Sequence, residues 1–198
     1  MDKLIAHRGI YDENIKGNSY LAIKNALECD KYVGVEFDIR ETLDNEIILY
    51  HDAYYNNKLV SNTYYKEMPK YIVRLQDILK INSNKIFLIE IKNIENNYDK
   101  FIKILNKHKT KKIYVMSFSN KAINKINVIN RNYKIGVLNY VLNTNVDTKK
   151  LDFLCVLNSL LNKNNIKELD ALEIFSYVII KKKNYKDIYY IVDNLDYL

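Results

Sequence analysis

The chain has 198 residues, of which 48% are hydrophobic and 28% charged, and it carries a net charge of +7. This length and composition are typical of one globular domain over residues 1–198, and they exclude a disordered or fibrous chain. The two cysteines, Cys29 and Cys155, are too few and too far apart for a disulfide framework or a cysteine metal site.

The N-terminal residues lack the charged and apolar pattern of a signal peptide, and no apolar stretch approaches the ~20 residues that span a bilayer. We therefore expect a cytoplasmic protein. Its lysines are scattered along the chain, which favours solvated faces and an anionic small-molecule substrate over a nucleic acid. A transient contact with an anionic membrane surface stays open, and the sequence indicates no oligomeric state.

Short apolar runs alternate with helical patterns along the chain. The first half of the chain begins with a predicted strand over 4–6, a helix over 19–27 capped by Asn18 or Ser19, and a strand over 33–39. A turn over 42–46 and a returning strand over 47–50 follow, and then a helix over 75–81 and a strand over 86–91. The second half predicts a helix over 98–106, a strand over 113–116, a helix over 122–129, and strands over 135–138, 153–157, 174–180 and 189–192, with helices between the last three.

Alternating strands and helices favour a parallel sheet with helical crossovers. If the hairpin at 42–46 is an excursion after strand two, eight strands remain for the sheet. Eight such units predict a compact (β/α)8 TIM barrel, a fold that normally takes about 250 residues. A doubly wound open sheet is the alternative, and the pattern alone does not separate the two.

Three charged clusters follow or end the predicted strands. His7-Arg8-Gly9 ends the first strand and supplies a proton-transfer group and an anion-binding fork, although such a pair is more often structural. On the second strand Glu36 and Asp38 are two residues apart and point to one side. If buried, two such carboxylates require protonation or a cation, and the plain alternative is the polar outer face of an edge strand. Glu90 and Lys92 repeat this spacing, with a surface salt bridge as the plain alternative.

These clusters resemble the glycerophosphodiester phosphodiesterase family. The first half of its signature is matched by His7-Arg8-Gly9, Asn18-Ser19, Glu36-Phe37-Asp38-Ile39, Thr42, Asp44 and His51-Asp52. Later strands of the family are matched by Ile89-Glu90-Ile91-Lys92, Met116-Ser117-Phe118 and Val192-Asp193-Asn194-Leu195-Asp196. The match is dense over the first half of the chain and sparse over the second.

The resemblance implies a function and a role for seven residues. The barrel would hydrolyse glycerophosphodiesters to glycerol phosphate and an alcohol in a metal-dependent reaction. His7 and His51 would be the acid/base pair, Glu36, Asp38 and Glu90 would bind the metal, and Arg8 and Lys92 would hold the phosphate. Hard oxygen ligands favour Mg²⁺ or Ca²⁺, with Mn²⁺ as a further candidate.

Two other functions stay open: a phosphodiesterase of the sphingomyelinase D type acting on lysophospholipid or sphingolipid headgroups, and a non-catalytic barrel that binds phosphate esters or anionic lipid. The chain also departs from the family pattern. Gly17 replaces a usual Glu, Tyr177 is the candidate substitute for a missing Trp, and the segment 53–74 is short. These departures concern the leaving-group and headgroup pockets.

Overall fold

The computed structural model describes residues 3–140, 150–168, 172–179, 185 and 187–193. Its strands are β1 (Lys3–His7), β2 (Gly34–Glu41), β3 (Ile47–Leu49), β4 (Tyr54–Tyr55), β5 (Lys58–Leu59), β6 (Ile86–Asn93), β7 (Lys112–Ser117), β8 (Lys134–Asn139), β9 (Phe153–Leu157), β10 (Glu173–Tyr177) and β11 (Ile188–Val192). Its α-helices are α1 (Tyr20–Glu28), α2 (Leu75–Ile78), α3 (Tyr98–Asn106), α4 (Asn120–Ile126) and α5 (Lys163–Glu168).

Within the described residues, eight parallel strands close into a barrel. The strand order is β1-β11-β10-β9-β8-β7-β6-β2, and β1 also pairs with β2, which closes the sheet on itself. β3 pairs antiparallel with the end of β2 as the hairpin excursion. The closed (β/α)8 architecture is confirmed, and the open sheet is excluded because the pairing of β1 with both β11 and β2 leaves none of the eight strands at an edge.

Most predicted elements are present, with boundaries shifted by one or two residues. α1 begins after Ser19, whose hydroxyl accepts a hydrogen bond from the backbone N–H of Ala22 at 3.2 Å, so the cap is Ser19 rather than Asn18. α2 covers only the first half of the predicted helix over 75–81. The strand predicted over 174–180 ends at Tyr177, and residue 180, like residues 194–196 of the last family motif, lies outside the described residues.

The segment 53–74 contains local structure that the sequence pattern did not predict. It forms the hairpin β4–β5 and two 3-10 turns, Val60–Asn62 and Tyr65–Glu67. Val60, Met68 and Ile72 pack with Ile48 of β3 into a small separate core. Runs of two or three residues are too short to show a period, so only tertiary packing reveals them.

Alternating side chains divide the barrel core into two parts. One alternate set packs outward against the helices: Leu4, Val35 and Phe37 belong to a cluster that includes residues of α1, α2, α3 and α4. The other set fills the barrel interior, with Ile5, Leu88, Met116 and the aromatic rings of Tyr114, Phe153 and Phe175. The three rings lie 5.0–5.4 Å apart between centroids and plug the interior below the charged residues.

None of the helices that the structure describes has the length and apolarity needed to cross a membrane.

The aromatic plug generates a stability prediction. Phe175 is fully buried, so we expect Phe175→Ala to lower the free energy of unfolding by about 3–5 kcal/mol through lost burial and a residual cavity. Ile129→Ala is the control, since Ile129 is 91% exposed and its truncation should cost less than about 0.5 kcal/mol. Urea denaturation checks both variants, and equal midpoints would contradict the role of the plug.

Candidate active site

Three buried carboxylates meet at the C-terminal end of the barrel strands. Glu36 and Asp38 project from β2, and Glu90 of β6 lies beside Asp38 in the strand register. One oxygen from each of the three carboxylates lies within 4.8 Å of the others. The i, i+2 spacing on β2 and the parallel register with β6 therefore place three acidic groups on one interior face, as the sequence indicated.

These carboxylates carry buried oxygens that lack the usual hydrogen bonds. Glu36 Oε1 has no hydrogen-bond partner, whereas buried polar atoms in folded proteins nearly always have one, and Asp38 Oδ1 and Glu90 Oε1 face the ammonium group of Lys92. Burial, with the charge of Asp38 adding to it, raises the pKa of Glu36 to about 8. Burial likewise raises the pKa of Glu90, partly offset by Lys92. Three converging oxygens of this kind fit a hard divalent cation.

Arg8 and Lys92 lie directly against the acidic cluster. The Arg8 Nε is 3.3 Å from Asp38 Oδ2, and its backbone N–H donates to Glu36 Oε2 at 3.2 Å. The Lys92 Nζ forms an ion pair with Glu90 Oε1 at 2.6 Å and lies 3.4 Å from Asp38 Oδ1. Burial lowers the pKa of Lys92, but Asp38 and Glu90 outweigh it and the net shift is upward. Their predicted phosphate-binding role stays a prediction.

Asn18 fixes the orientation of Asp38. Its Nδ2 donates to Asp38 Oδ2 at 2.8 Å, and the Asp38 backbone N–H donates to Asn18 Oδ1 at 3.1 Å. Asn18 is buried and has a φ of 61°, in the left-handed region that asparagine tolerates better than most residues. The sequence pattern indicated Asn18 only as one of two possible helix caps, and this contact with Asp38 was not predicted.

Each predicted histidine is bound through Nδ1 to an aspartate. His7 Nδ1 is hydrogen-bonded to Asp193 at the end of β11, and its Nε2 lies 3.8 Å from Glu36 Oε2. His51 Nδ1 is 2.8 Å from Asp52 Oδ1. This pairing leaves Nε2 of each ring as the nitrogen available for proton transfer. Burial lowers the pKa of His7, but the hydrogen bond to Asp193 and the charge of Glu36 outweigh it, so the net shift is upward.

The contact of Arg40 with the hairpin was not predicted from the sequence either. Its Nε and Nη2 donate to the backbone carbonyl of His51 at 3.0 and 2.8 Å, which holds the returning hairpin strand at the barrel mouth. Arg40 continues the alternation of Glu36 and Asp38 on β2, and this period of two could have identified it as a residue on the same side of the strand. Asp193 could have been identified as the acidic residue directly after the last strand.

A cavity of about 200 Å³ joins these groups. Six of the seven predicted site residues line it, namely His7, Arg8, Glu36, His51, Glu90 and Lys92. Asp38 lies at 1% exposure beneath them, in contact with Arg8 and Lys92. The opposite wall is apolar and is formed by Met116, Phe118, Leu138, Tyr140, Tyr177 and Ile191. Tyr177, the candidate substitute for the family's Trp, thus belongs to the site.

A structural comparison relates this arrangement to solved proteins. A glycerophosphodiester phosphodiesterase from Thermotoga maritima matches with a TM-score of 0.76 and 20% identity, over 98% of this chain and 95% of that one. The enzyme from Agrobacterium tumefaciens matches with a TM-score of 0.78 and 17% identity, over 99% and 98%. The chain has the glycerophosphodiester phosphodiesterase fold.

A phosphodiesterase from Oleispira antarctica, solved with the product sn-glycerol-3-phosphate, matches with a TM-score of 0.78 and 14% identity, over 96% of this chain and 93% of that one. No protein-family model matches the sequence, and no curated protein matches it significantly. The common fold is therefore detected by its three-dimensional arrangement at identities of 14–20%.

The raised pKa of Glu36 predicts how stability depends on pH when no metal is bound. The folded protein holds the proton more tightly than the unfolded chain, whose carboxyl has an ordinary value of 4.5. The resulting stabilisation is complete below about pH 4.5 and is lost as the pH rises to about 8, with a slope of at most about 1.4 kcal/mol per pH unit.

Chemical denaturation in EDTA from pH 5 to 8 measures this slope. Glu36→Gln should reduce it and leave the part that comes from the raised pKa values of Glu90 and His7, whereas Glu13→Gln, which changes an exposed carboxylate, should retain it in full. The same slope in the Glu36→Gln variant and the wild type would contradict the assignment of this proton to Glu36.

Proposed function

We propose that the chain hydrolyses phosphodiesters, with glycerophosphodiesters as substrates and glycerol phosphate and an alcohol as products. The observation that carries the proposal is one cavity lined by two aspartate-bound histidines and two buried carboxylates, with Glu36 Oε1 left without a hydrogen-bond donor. A site that only binds phosphate has no need of two oriented proton-transfer groups. The Oleispira antarctica neighbour, solved with sn-glycerol-3-phosphate, supports the same substrate class.

The proposed cofactor is one divalent cation, Mg²⁺ or Ca²⁺, held by Glu36, Asp38 and Glu90. When bound, the ion would supply Lewis-acid polarisation of the phosphoryl oxygen. The three carboxylates bring three negative charges, and Arg8 and Lys92 bring two positive ones. A phosphodiester adds one negative charge, so a divalent cation brings the occupied site close to neutrality.

Arg8 and Lys92 are proposed to hold the phosphate, because both cations lie at the floor of the cavity beside the carboxylates. One histidine accepts the proton of a substrate hydroxyl while that oxygen forms a new O–P bond, and the other histidine donates a proton to the alcohol oxygen as its O–P bond breaks. Water then opens the resulting cyclic phosphate with the two proton-transfer roles exchanged, which gives glycerol phosphate. Asp193 and Asp52 keep the two rings oriented through Nδ1 during these transfers.

The histidines generate the first functional prediction. We expect His7→Ala and His51→Ala each to lower turnover of glycerophosphodiesters by roughly 10²–10⁴-fold, because each ring handles a proton in the transition state. His108→Ala is the matched control, since His108 follows α3 and does not line the cavity. Steady-state assays and thermal melts of all three variants check this, and near-wild-type turnover would remove that histidine from the mechanism.

The second functional prediction concerns the cation. We expect EDTA to abolish activity and to lower the melting temperature, and Mg²⁺ or Ca²⁺ to restore both, because a ligand that binds only the folded state stabilises it. Glu36→Gln and Asp38→Asn should lose activity and most of the metal-dependent shift in melting temperature.

Glu41→Gln is the matched control for these variants. Glu41 is a buried carboxylate of the same strand, but it accepts hydrogen bonds from the backbone N–H groups of Glu95 and Asn96. Its variant should be less stable and still respond to the ion. Full activity of metal-stripped wild-type protein would overturn the assignment of the three carboxylates.

A further inference from the structure

A second cavity, of about 190 Å³, adjoins the catalytic cavity. Arg8 and His51 line both cavities. The remaining lining of the second cavity comes from the loop between β1 and α1 and from the residues that follow β3. Glu36 and Glu90 line the first cavity and not the second. The two cavities thus meet at a cation and a histidine, and only the first opens onto these two carboxylates.

This arrangement matches the two arms of a phosphodiester. With a phosphate at Arg8, one ester arm would lie over the carboxylates and the other would extend past His51 into the second cavity. We propose that the second cavity is the subsite for the departing alcohol and that it selects an uncharged polyol over a cationic amino alcohol. The proposal rests on the proposed phosphodiesterase function and names the substrate class of the same site. It also places His51 next to the oxygen that must be protonated.

Gly17 provides the space for this subsite. Its φ lies outside the left-handed region, so the backbone does not require glycine here. A Cβ at this position would lie 3.3 Å from Arg8 Cβ and 3.4–3.5 Å from the Tyr11 ring, two residues that line the cavity. Any side chain at Gly17 would therefore narrow the cavity between its cation and its aromatic wall.

The charges around the subsite disfavour a cationic alcohol. Lys16 brings one positive charge to the lining, and Arg8 brings a second that is partly offset by Asp38 at 3.3 Å. Among the described lining residues the one carboxylate is Asp52. It is hydrogen-bonded to His51, and this hydrogen bond lowers the pKa of Asp52, so its negative charge is already paired. Within the described lining the balance is positive, which repels an ammonium group and does not penalise a neutral one.

The polar groups of the subsite suit hydroxyl-rich alcohols. Tyr11, Tyr50 and Tyr71 line the cavity, and a phenol hydroxyl can both donate and accept a hydrogen bond. The hydroxyl contacts of Tyr11 with Asp193 and of Tyr50 with the Tyr54 carbonyl are both long, at 3.4 Å. Contacts of this length exchange readily for hydroxyl groups of a bound polyol.

The test compares three diesters of glycerol phosphate in which the departing alcohol is glycerol, choline or methanol. For the wild type, kcat/KM should be about 3-fold or more higher for the glycerol diester than for the choline diester at low salt. Lys16→Glu should shift that ratio toward choline by about 10-fold and Lys16→Gln by about 3-fold, because the first variant changes the charge by two units and the second by one. Lys16 is exposed, so water screens part of its charge and keeps these effects modest. The shift should shrink in 1 M salt.

Two controls separate charge from size. The methyl diester has no group beyond the departing oxygen to occupy the second cavity, so its kcat/KM should change by less than about 2-fold in both Lys16 variants, because specificity depends on pocket contacts that this alcohol does not make. Gly17→Ala should lower kcat/KM for the glycerol and choline diesters together, since it narrows the cavity without adding charge. Gly17→Glu should narrow it and also shift the ratio toward choline.

The outcomes distinguish this proposal from the function on which it rests. Hydrolysis of the diesters with a ratio that Lys16→Glu leaves unchanged, or a wild-type preference for choline, would overturn the subsite and leave the phosphodiesterase function standing. Absence of hydrolysis of all three diesters with Mg²⁺ and with Ca²⁺ would overturn both. A ratio that follows the charge at Lys16, with an unchanged methyl diester, supports the subsite.

Discussion

Mutual repulsion among Glu36, Asp38 and Glu90 is the constraint around which the mouth of the barrel is organised. Three carboxylates share a space in which their oxygens lie within 4.8 Å, and burial denies them the water that would screen their charge. The neighbouring cationic side chains offset that charge. Arg8 and Lys92 approach the cluster as counter-ions, and Glu36 Oε1 still has no hydrogen-bond or ion-pair partner in the described part of the chain. Such an arrangement is poor for the stability of an empty site and well suited to holding a cation.

Barrel closure converts this local arrangement into a site with two proton-transfer groups. His7 and Asp193 are 186 residues apart in sequence, and they meet because β1 and β11 are hydrogen-bonded neighbours. His51 lies two residues after β3, the strand that returns antiparallel along β2, and Arg40 donates two hydrogen bonds to its backbone carbonyl. Each imidazole therefore reaches the mouth on a separate element, and an aspartate fixes which of its nitrogens is free.

The lower part of the barrel interior contributes packing, and the C-terminal end carries the residues of the candidate active site. The Phe153 and Phe175 rings fill the lower part, where their burial supplies packing without any polar cost. The charged residues occupy the C-terminal end, where parallel-barrel enzymes carry their active sites. The two cavities divide this end again, one facing the carboxylates and the other facing Lys16. Loops rather than strands line the second cavity, so it can change without disturbing the barrel.

The sequence by itself determined the eight strands and the acidic face of β2, because period-two alternation shows which side chains share a side. It also located Glu90 and both histidines, since strand ends are visible as breaks in apolar runs. The tertiary structure alone decided that the sheet closes, because closure depends on pairing between the first and last strands. It also decided that Asn18 holds Asp38 and that Asp193 holds His7. Contacts between residues far apart in the chain leave no local period, and only the folded chain brings them within hydrogen-bonding distance.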